Sequence, residues 1–273
     1  CLALKQILKK VNKNSEVIID NFSIPKEYSF LPEISNVKSD VNKLKKFIIN
    51  LDVTQTGIDE LSYDLQGTNL NIYLTPKQGV FTPDDLKFKT SEFAFDLIII
   101  VGATDLDSLG KIYEHHRDFF YQVPVINIDN NPANEQYGHI NLLDLTATSS
   151  CEIIYNQINT WEEQVMDKEL ATCLLAGMIS ATRSFKTSNV TPKALHIASE
   201  LIEAGAKRQE IVTNLFQTKT INTLKLWGRI LARLQYDKDA KLIWSKINPH
   251  DFTESNTSPK DMTGIIDDLI STS

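Results

Sequence analysis

Two short runs of mostly β-branched residues, D-L-I-I-I-V (Asp96–Val101) and V-P-V-I-N-I (Val123–Ile128), stand a helix length apart. An apolar run of this length and branching reads as a strand buried on both faces, and Asp96–Val101 reads as a central parallel strand. Asp105–Tyr121 between them reads as a helix, so the second strand lies parallel to the first. The alternation predicts an α/β fold: a mainly parallel sheet with helices on both faces.

The flanking sequence extends this frame. Leu4, Ile7, Leu8 and Val11 share one face of an N-terminal helix, and Glu16–Asp20 reads as a short buried strand. Lys46–Leu51 and Leu70–Leu74 read as the two strands of a hairpin insertion. From Thr148 the pattern turns helical: Ser149–Trp161, Asp167–Ile179, Pro192–Ala204, Arg208–Phe216 and Ile221–Leu234. Thr191 before Pro192 gives an N-cap, and Gly205 a helix stop. Leu242–Ile247 reads as the start of another sheet and Met262–Ile270 as a last helix. The division expected is a domain over 1–186, a helical linker over 187–235, and the incomplete beginning of a smaller α/β domain over 236–273.

Composition excludes several classes. With 42% hydrophobic and 23% charged residues over 273 positions, the chain is globular rather than disordered. A net charge of -7 argues against nucleic-acid binding by bulk charge and leaves room only for a local basic groove. No apolar run is long enough to span a bilayer, so no membrane partner is expected. Glycine-rich phosphate loops are missing among only 10 glycines. Cys1, Cys151 and Cys173 are scattered without zinc spacing and read as reduced thiols of a cytoplasmic protein. A start at Cys1 without Met or signal sequence reads as a chain whose true start lies upstream, the alternative being a mature lipoprotein.

In open α/β sheets ligands gather at the carboxyl ends of the strands. Gly102–Asp105 and Asp129–Pro132 are such ends, and Gly177–Phe185 is a third place where small and polar residues interrupt apolar sequence. His115-His116 lies in a helical pattern, where neighbours diverge by about 100°, and reads as an exposed face. His139, His196 and His250 have no ligand-spaced partners and read as surface or capping residues. Trp161, Trp227 and Trp244 read as packing residues.

Three of these segments, in order, resemble DHH phosphoesterases. V-I-N-I-D-N-N-P-A-N-E-Q-Y-G (Val125–Gly138) is similar to the family's Asp-His-His segment, with Asn134 at its trailing Asn. D-L-I-I-I-V-G-A-T-D (Asp96–Asp105) resembles the strand that ends in a metal-binding Asp. L-L-A-G-M-I-S-A-T-R-S-F (Leu174–Phe185) looks like the Gly-x-x-x-Asp-Thr-x-x-Phe segment. A-T-S-S-C-E-I-I-Y (Ala147–Tyr155) and L-I-E-A-G-A (Leu201–Ala206) fit as well, so the resemblance covers most of residues 1–235. It implies a DHH domain, a linker and a smaller substrate-binding domain. It also implies manganese-dependent hydrolysis of short oligoribonucleotides, cyclic dinucleotides, nucleoside bisphosphates, polyphosphate or single-stranded DNA.

Against that pattern the chain carries Gly102 for the second-motif Asp, Asn130-Asn131 for His-His, and Ala181 for the Asp before Thr182; only Asp129 remains. The resemblance puts the first motif ahead of Cys1 and the Gly-Gly-Gly-His segment beyond Ser273. Two divalent ions about 4 Å apart repel by roughly 17 kcal/mol at an effective dielectric constant near 20, and one aspartate does not offset that. The metal set is therefore expected to be none, and the catalytic set none, with Gly102, Asp129, Asn130, Asn131 and Ala181 vestigial. Arg183, with Asn134, Thr182 and Ser184, is the expected ligand-binding set. An inward guanidinium at Arg183 takes phosphate in place of metal, whereas an outward one is a solvated loop residue. Asn134 and Thr182 also have a plainer role open to them, satisfying backbone groups.

The expected function is that of a catalytically degenerate homologue binding a nucleotide, a short single-stranded RNA or a protein, as a homodimer or paired with an active relative. The alternative is an active manganese-dependent phosphoesterase using ligands from outside this segment.

Overall fold

The computed structural model describes residues 1–41, 44–161, 165–216, 220–262 and 265. The chain divides into two compact units. The first comprises Cys1, Ala3–Ser23 and Asn36–Glu162; the second comprises Leu2, Ile24–Ser35 and Glu163–Ser273.

The first unit opens with α1 (Leu2–Lys10), which buries Ala3, Gln6 and Ile7, and carries two β-ribbons. One pairs β1 (Phe47–Leu51) with β4 (Leu86–Thr90), and the other pairs β2 (Glu60–Gln66) with β3 (Asn69–Thr75), both antiparallel. β5 (Ile98–Val101), β6 (Val125–Asp129) and β7 (Ile140–Leu143) then form a parallel sheet in the order β5-β6-β7. α2 (Lys111–His115) and α3 (Arg117–Gln122) connect β5 to β6, and α4 (Ser150–Ile158) lies against β6. The core forms where Ile112, Tyr113, Phe119 and Phe120 of that connection cover Ile100 and Val125 on one face of the sheet. Phe93 and Phe95 pack onto Phe119 at ring distances of 5.0 and 6.4 Å.

Five expectations need correction in this unit. Asp96–Val101 gives β5, but among the described residues it is an edge strand, and β6 holds the centre. Clefts of about 1100 and 530 Å³ flank that edge, the larger between α1 and Ile99 and Val101, the smaller beside Ile98, Ile100 and Gly102. Glu16–Asp20 makes only a bridge, Ile18 with Lys38, because its ladder is one residue long. Lys46–Leu51 and Leu70–Leu74 are strands of different ribbons rather than partners. Alternation in a sequence fixes which face a residue takes, not which strand it pairs with. The helix expected over Asp105–Tyr121 is broken at Gly110 and at His116 into a 3-10 turn (Asp107–Leu109), α2 and α3. Trp161 is exposed rather than packed.

The second unit is mostly helical: α5 (Lys168–Ala181), α6 (Pro192–Glu203), α7 (Arg208–Phe216), α8 (Ile221–Ala232) and α9 (Pro249–Ser255). Asp167 caps α5 by accepting the N–H of Leu170 at 2.9 Å, and Thr191 caps α6 by accepting that of Ala194 at 3.1 Å, with Pro192 in the first turn. α5 is apolar almost all round, which a helix can be only when its neighbours cover every side, and nine of its residues are buried. A short ribbon of β8 (Gln235–Asp237) with β9 (Leu242–Trp244) precedes α9. Trp227 packs with Leu226, Ile230 and Ile265, whereas Trp244 is exposed on β9, contrary to its expected packing role. Most of the helix expected over Met262–Ile270 lies outside the described residues.

Among the described residues no helix is long and apolar enough to cross a membrane. None of the three cysteines is in a disulfide.

Candidate functional site

β6 ends on Asp129, where the apolar run gives way to Asn130 and Asn131. Residues two apart on a strand share a face, so Asn127 and Asp129 project together, and both are buried. Asp129 Oδ1 accepts the backbone N–H of Asn130 at 2.8 Å and of Asn131 at 3.2 Å. Its Oδ2 accepts Asn134 Nδ2 at 2.8 Å. Asn134 Nδ2 also donates to the Ala103 carbonyl at 2.9 Å, tying the turn after β6 to the end of β5. Asn134 Oδ1 accepts Asn127 Nδ2 at 2.7 Å and the Gln136 N–H at 2.9 Å. Asn127 Nδ2 reaches Asn141 Oδ1 on β7 at 3.0 Å, so one amide chain runs from β7 through the middle of β6 to the loop after β5.

Tyr137 completes the arrangement by donating its hydroxyl to the same Ala103 carbonyl at 2.9 Å. Burial, and then the carboxylates of Asp129 and Asp105, push its phenol up to about 12, so it stays a donor at physiological pH. Asn130 Nδ2 donates to the Ala147 carbonyl at 3.1 Å, and Asn131 Oδ1 accepts the Ala133 N–H at 3.0 Å, an Asx turn on the exposed rim. Gly102 donates its N–H to Ile128 at 2.9 Å and sits at φ +70, where a side chain would find space but strained backbone. Gly138 runs so close beneath Asn127 that a Cβ would stand 2.7 Å from the Ile140 carbonyl and 2.9 Å from Asn127 Cβ.

The remaining expected residues belong to the second unit. Ala181 ends α5 on its exposed side. Thr182 is fully buried; its hydroxyl donates to the Met178 carbonyl at 2.6 Å and accepts the Phe185 N–H at 3.0 Å. That is the plainer of the two roles open to Thr182, satisfying backbone groups at the end of α5. Arg183 is exposed, and Arg183, Ser184 and Phe185 have φ of 47, 63 and 61. Three successive non-glycine residues in the left-handed region are costly, roughly 1–2 kcal/mol each, and the turn is held by Ser184 N–H on the Ile179 carbonyl at 2.8 Å.

The histidines keep structural positions. His115 is exposed at the end of α2, and His116, at the helix break, stands 3.4 Å from Asp40. His139 Nδ1 accepts the Val125 N–H at 3.1 Å, capping the start of β6. Sequence reasoning missed Asn127, Tyr137 and Asn141. The signal was an Asn two positions before the strand-end Asp, a polar residue on a face that is otherwise apolar.

No family model matches the chain. It is 28% identical over 142 residues to a Thermus thermophilus protein described as bifunctional oligoribonuclease and PAP phosphatase NrnA, covering 52% of this chain and 43% of that one. The Bacillus subtilis protein of that description is 29% identical over 117 residues, 42% of this chain and 37% of its own. A probable NrnA from Streptococcus mutans is 25% identical over 179 residues, 64% and 55%. In structure, the chain superposes on an exopolyphosphatase-related protein from Bacteroides fragilis with TM-score 0.71 at 16% identity, covering 97% of this chain and 66% of that one. These similarities agree with the resemblance to DHH phosphoesterases.

It spans about half or less of the length of those curated relatives. The solved neighbour shares the α/β fold.

The DHH positions of this chain offer a metal little. Of their side chains only Asp129 is an anion, and its oxygens already accept three N–H groups. Asn130 is turned to a backbone carbonyl, and Gly102 and Ala181 carry no donor. Among the described residues no group of three or more His, Cys, Asp or Glu side chains is arranged to hold a metal ion. These residues do not fit the manganese pair of the DHH pattern.

Proposed function

We propose that the chain is a catalytically degenerate DHH phosphoesterase homologue that keeps the scaffold to bind a nucleotide or short single-stranded RNA, or else a protein partner. The observation that carries this reading is the state of Asp129. Three of the acceptor sites of this carboxylate are taken by Asn130, Asn131 and Asn134, which hold the strand-end turn, and no second anionic side chain of the DHH pattern stands beside it to share a pair of cations. Without a metal there is no activated hydroxide and no neutralisation of phosphoryl oxygens, so turnover stops while shape and hydrogen bonding persist. Arg183, exposed in this structure and so in the outward placement, takes a phosphate oxygen without metal only once its guanidinium turns onto the ligand.

Calorimetric titration of the purified chain with a short oligoribonucleotide, with and without manganese, tests the reading. Binding is expected without manganese, to weaken about tenfold in Arg183→Ala, in line with loss of one charge-assisted contact. Manganese-dependent release of mononucleotide, abolished by Asp129→Ala, would overturn it.

A second reading has support in the relatives, which are described as oligoribonuclease and phosphatase and of which this chain matches about half or less. In that reading ligands from outside this segment complete an active manganese-dependent site, and the mononucleotide release just named is its signature.

A further inference from the structure

We propose that the start of α4 is an oxyanion subsite that seats a phosphate group of the ligand without metal. The inference rests on the binding role proposed above and says which part of the ligand the strand-end region takes. The sequence A-T-S-S-C-E opens α4 with Ser149 as its cap residue. A cap serine ordinarily accepts a first-turn N–H with its side-chain oxygen. Ser149 does not. It makes no capping hydrogen bond, it is 5% exposed, and its Oγ has no hydrogen-bond partner among the described residues.

Its neighbours leave that position open. Glu152 turns back past the cap and accepts the Thr148 N–H at 2.8 Å and the Thr148 hydroxyl at 2.9 Å. The Glu152 N–H goes to the Ser149 carbonyl at 3.0 Å. The N–H groups of Ser150 and Cys151, which a helix does not satisfy from within, have no partner among the described residues. An unmatched hydroxyl, two unmatched N–H groups and the half-buried Ser150 therefore stand together at the positive end of a nine-residue helix.

The helix start is fastened to the strand ends. Asn130, just past β6, donates its side-chain amide to the Ala147 carbonyl at 3.1 Å, two residues before the cap. Gly102, just past β5, faces the helix: a Cβ there would meet only Ser150 Oγ, at 3.9 Å, so the glycine leaves room beside the first turn. This is the carboxyl edge of a parallel sheet, where α/β folds gather ligands. Donors without acceptors at a helix start call for an anion, and phosphate is held there through backbone N–H groups. A tetrahedral oxyanion brings an oxygen to each of several donors, whereas a carboxylate has two to share among them.

Inorganic phosphate is the probe, with chelator present throughout, read by thermal unfolding and by calorimetry. The native chain is expected to bind phosphate and to melt higher with it, and to show neither effect with acetate. Ser149→Ala is expected to bind phosphate about tenfold more weakly, yet to melt with the native chain in its absence, because the hydroxyl removed caps nothing. Ser150→Asp places an acid where helix starts favour one, so it is expected to keep the native circular dichroism spectrum and to lose phosphate binding. A native chain unaffected by tens of millimolar phosphate overturns the subsite, as does a Ser150→Asp chain that binds phosphate like the native one. A Ser149→Ala chain that melts lower without phosphate also overturns it, since the hydroxyl would then be an ordinary cap. Short oligoribonucleotide binding that Ser150→Asp leaves unchanged removes the subsite and leaves the binding role standing. Phosphate binding in a native chain that holds no oligoribonucleotide supports the subsite and removes that role.

Discussion

Asp129 is a carboxylate held by three N–H donors at the end of a buried strand, which gives it a structural role whatever else it binds. Hydrogen bonds to a charged acceptor contribute more than neutral ones, and the geometry admits acceptors only. Asp129→Asn would place an amide N–H2 against at least one of those donors. It is expected to lower the stability of the chain by about 2 kcal/mol, read as a shift in urea midpoint at constant slope. Gly102 bears on the same question. At φ +70 its backbone disfavours any L side chain, so placing an aspartate there would begin with strain of roughly 1 kcal/mol before any ligand was gained. The Asp129 role was only half legible in the sequence: the strand end marked the position, but nothing in N-N-P-A-N says which donors its oxygens meet. The left-handed turn at Arg183–Phe185 was illegible, since R-S-F contains neither Gly nor Asn to announce it.

At the scale of elements, the parallel strands and the capped helices were readable because one residue pattern sufficed for each: β-branched runs for β5 and β6, Asp167 and Thr191 for the starts of α5 and α6. Pairings were not readable. The strand E-L-S-Y-D-L-Q alternates cleanly and precedes the two-residue turn Gly67-Thr68, yet its true partner emerged only from the register with β3. The contact between α8 and α9 is equally non-local. Arg233, just past α8, grips Asp251 of α9 through two hydrogen bonds of 2.6 and 2.8 Å, and Arg229 joins Asp251 and Glu254. The guanidinium of Arg233, followed by the Asn248 N–H, holds the Asp251 carboxyl down at about 2. Its unfolded value is about 3.9, so the folded state binds the proton less readily. The stabilisation is therefore full above about pH 4 and is lost as pH falls through 2. Amide exchange of α8 and α9 is expected to quicken across that window while Asp251→Asn, already weakened, shows no such step.

At the scale of the whole molecule, charge sets what kind of nucleic-acid contact is open to it. With 28 basic against 35 acidic side chains, the chain repels a polyanion at long range, so any oligoribonucleotide it holds is held by few local contacts. Each phosphate neutralised on a single strand contributes about -0.7 to the slope of log K against log salt concentration. A site built around one guanidinium, with the rest of its affinity from hydrogen bonding and shape, is expected to give a slope near -1 or shallower. Affinity then falls only about fourfold between 50 and 200 mM salt. Titrations across that range, by calorimetry or fluorescence anisotropy, read the slope directly, and Arg183→Ala is expected to flatten it by about 0.7. A slope steeper than about -3 would mean several phosphates gripped at once, hence an extended basic groove. That result would reject a binding role resting on one arginine, because a net charge of -7 would then have to conceal a cationic surface of several residues.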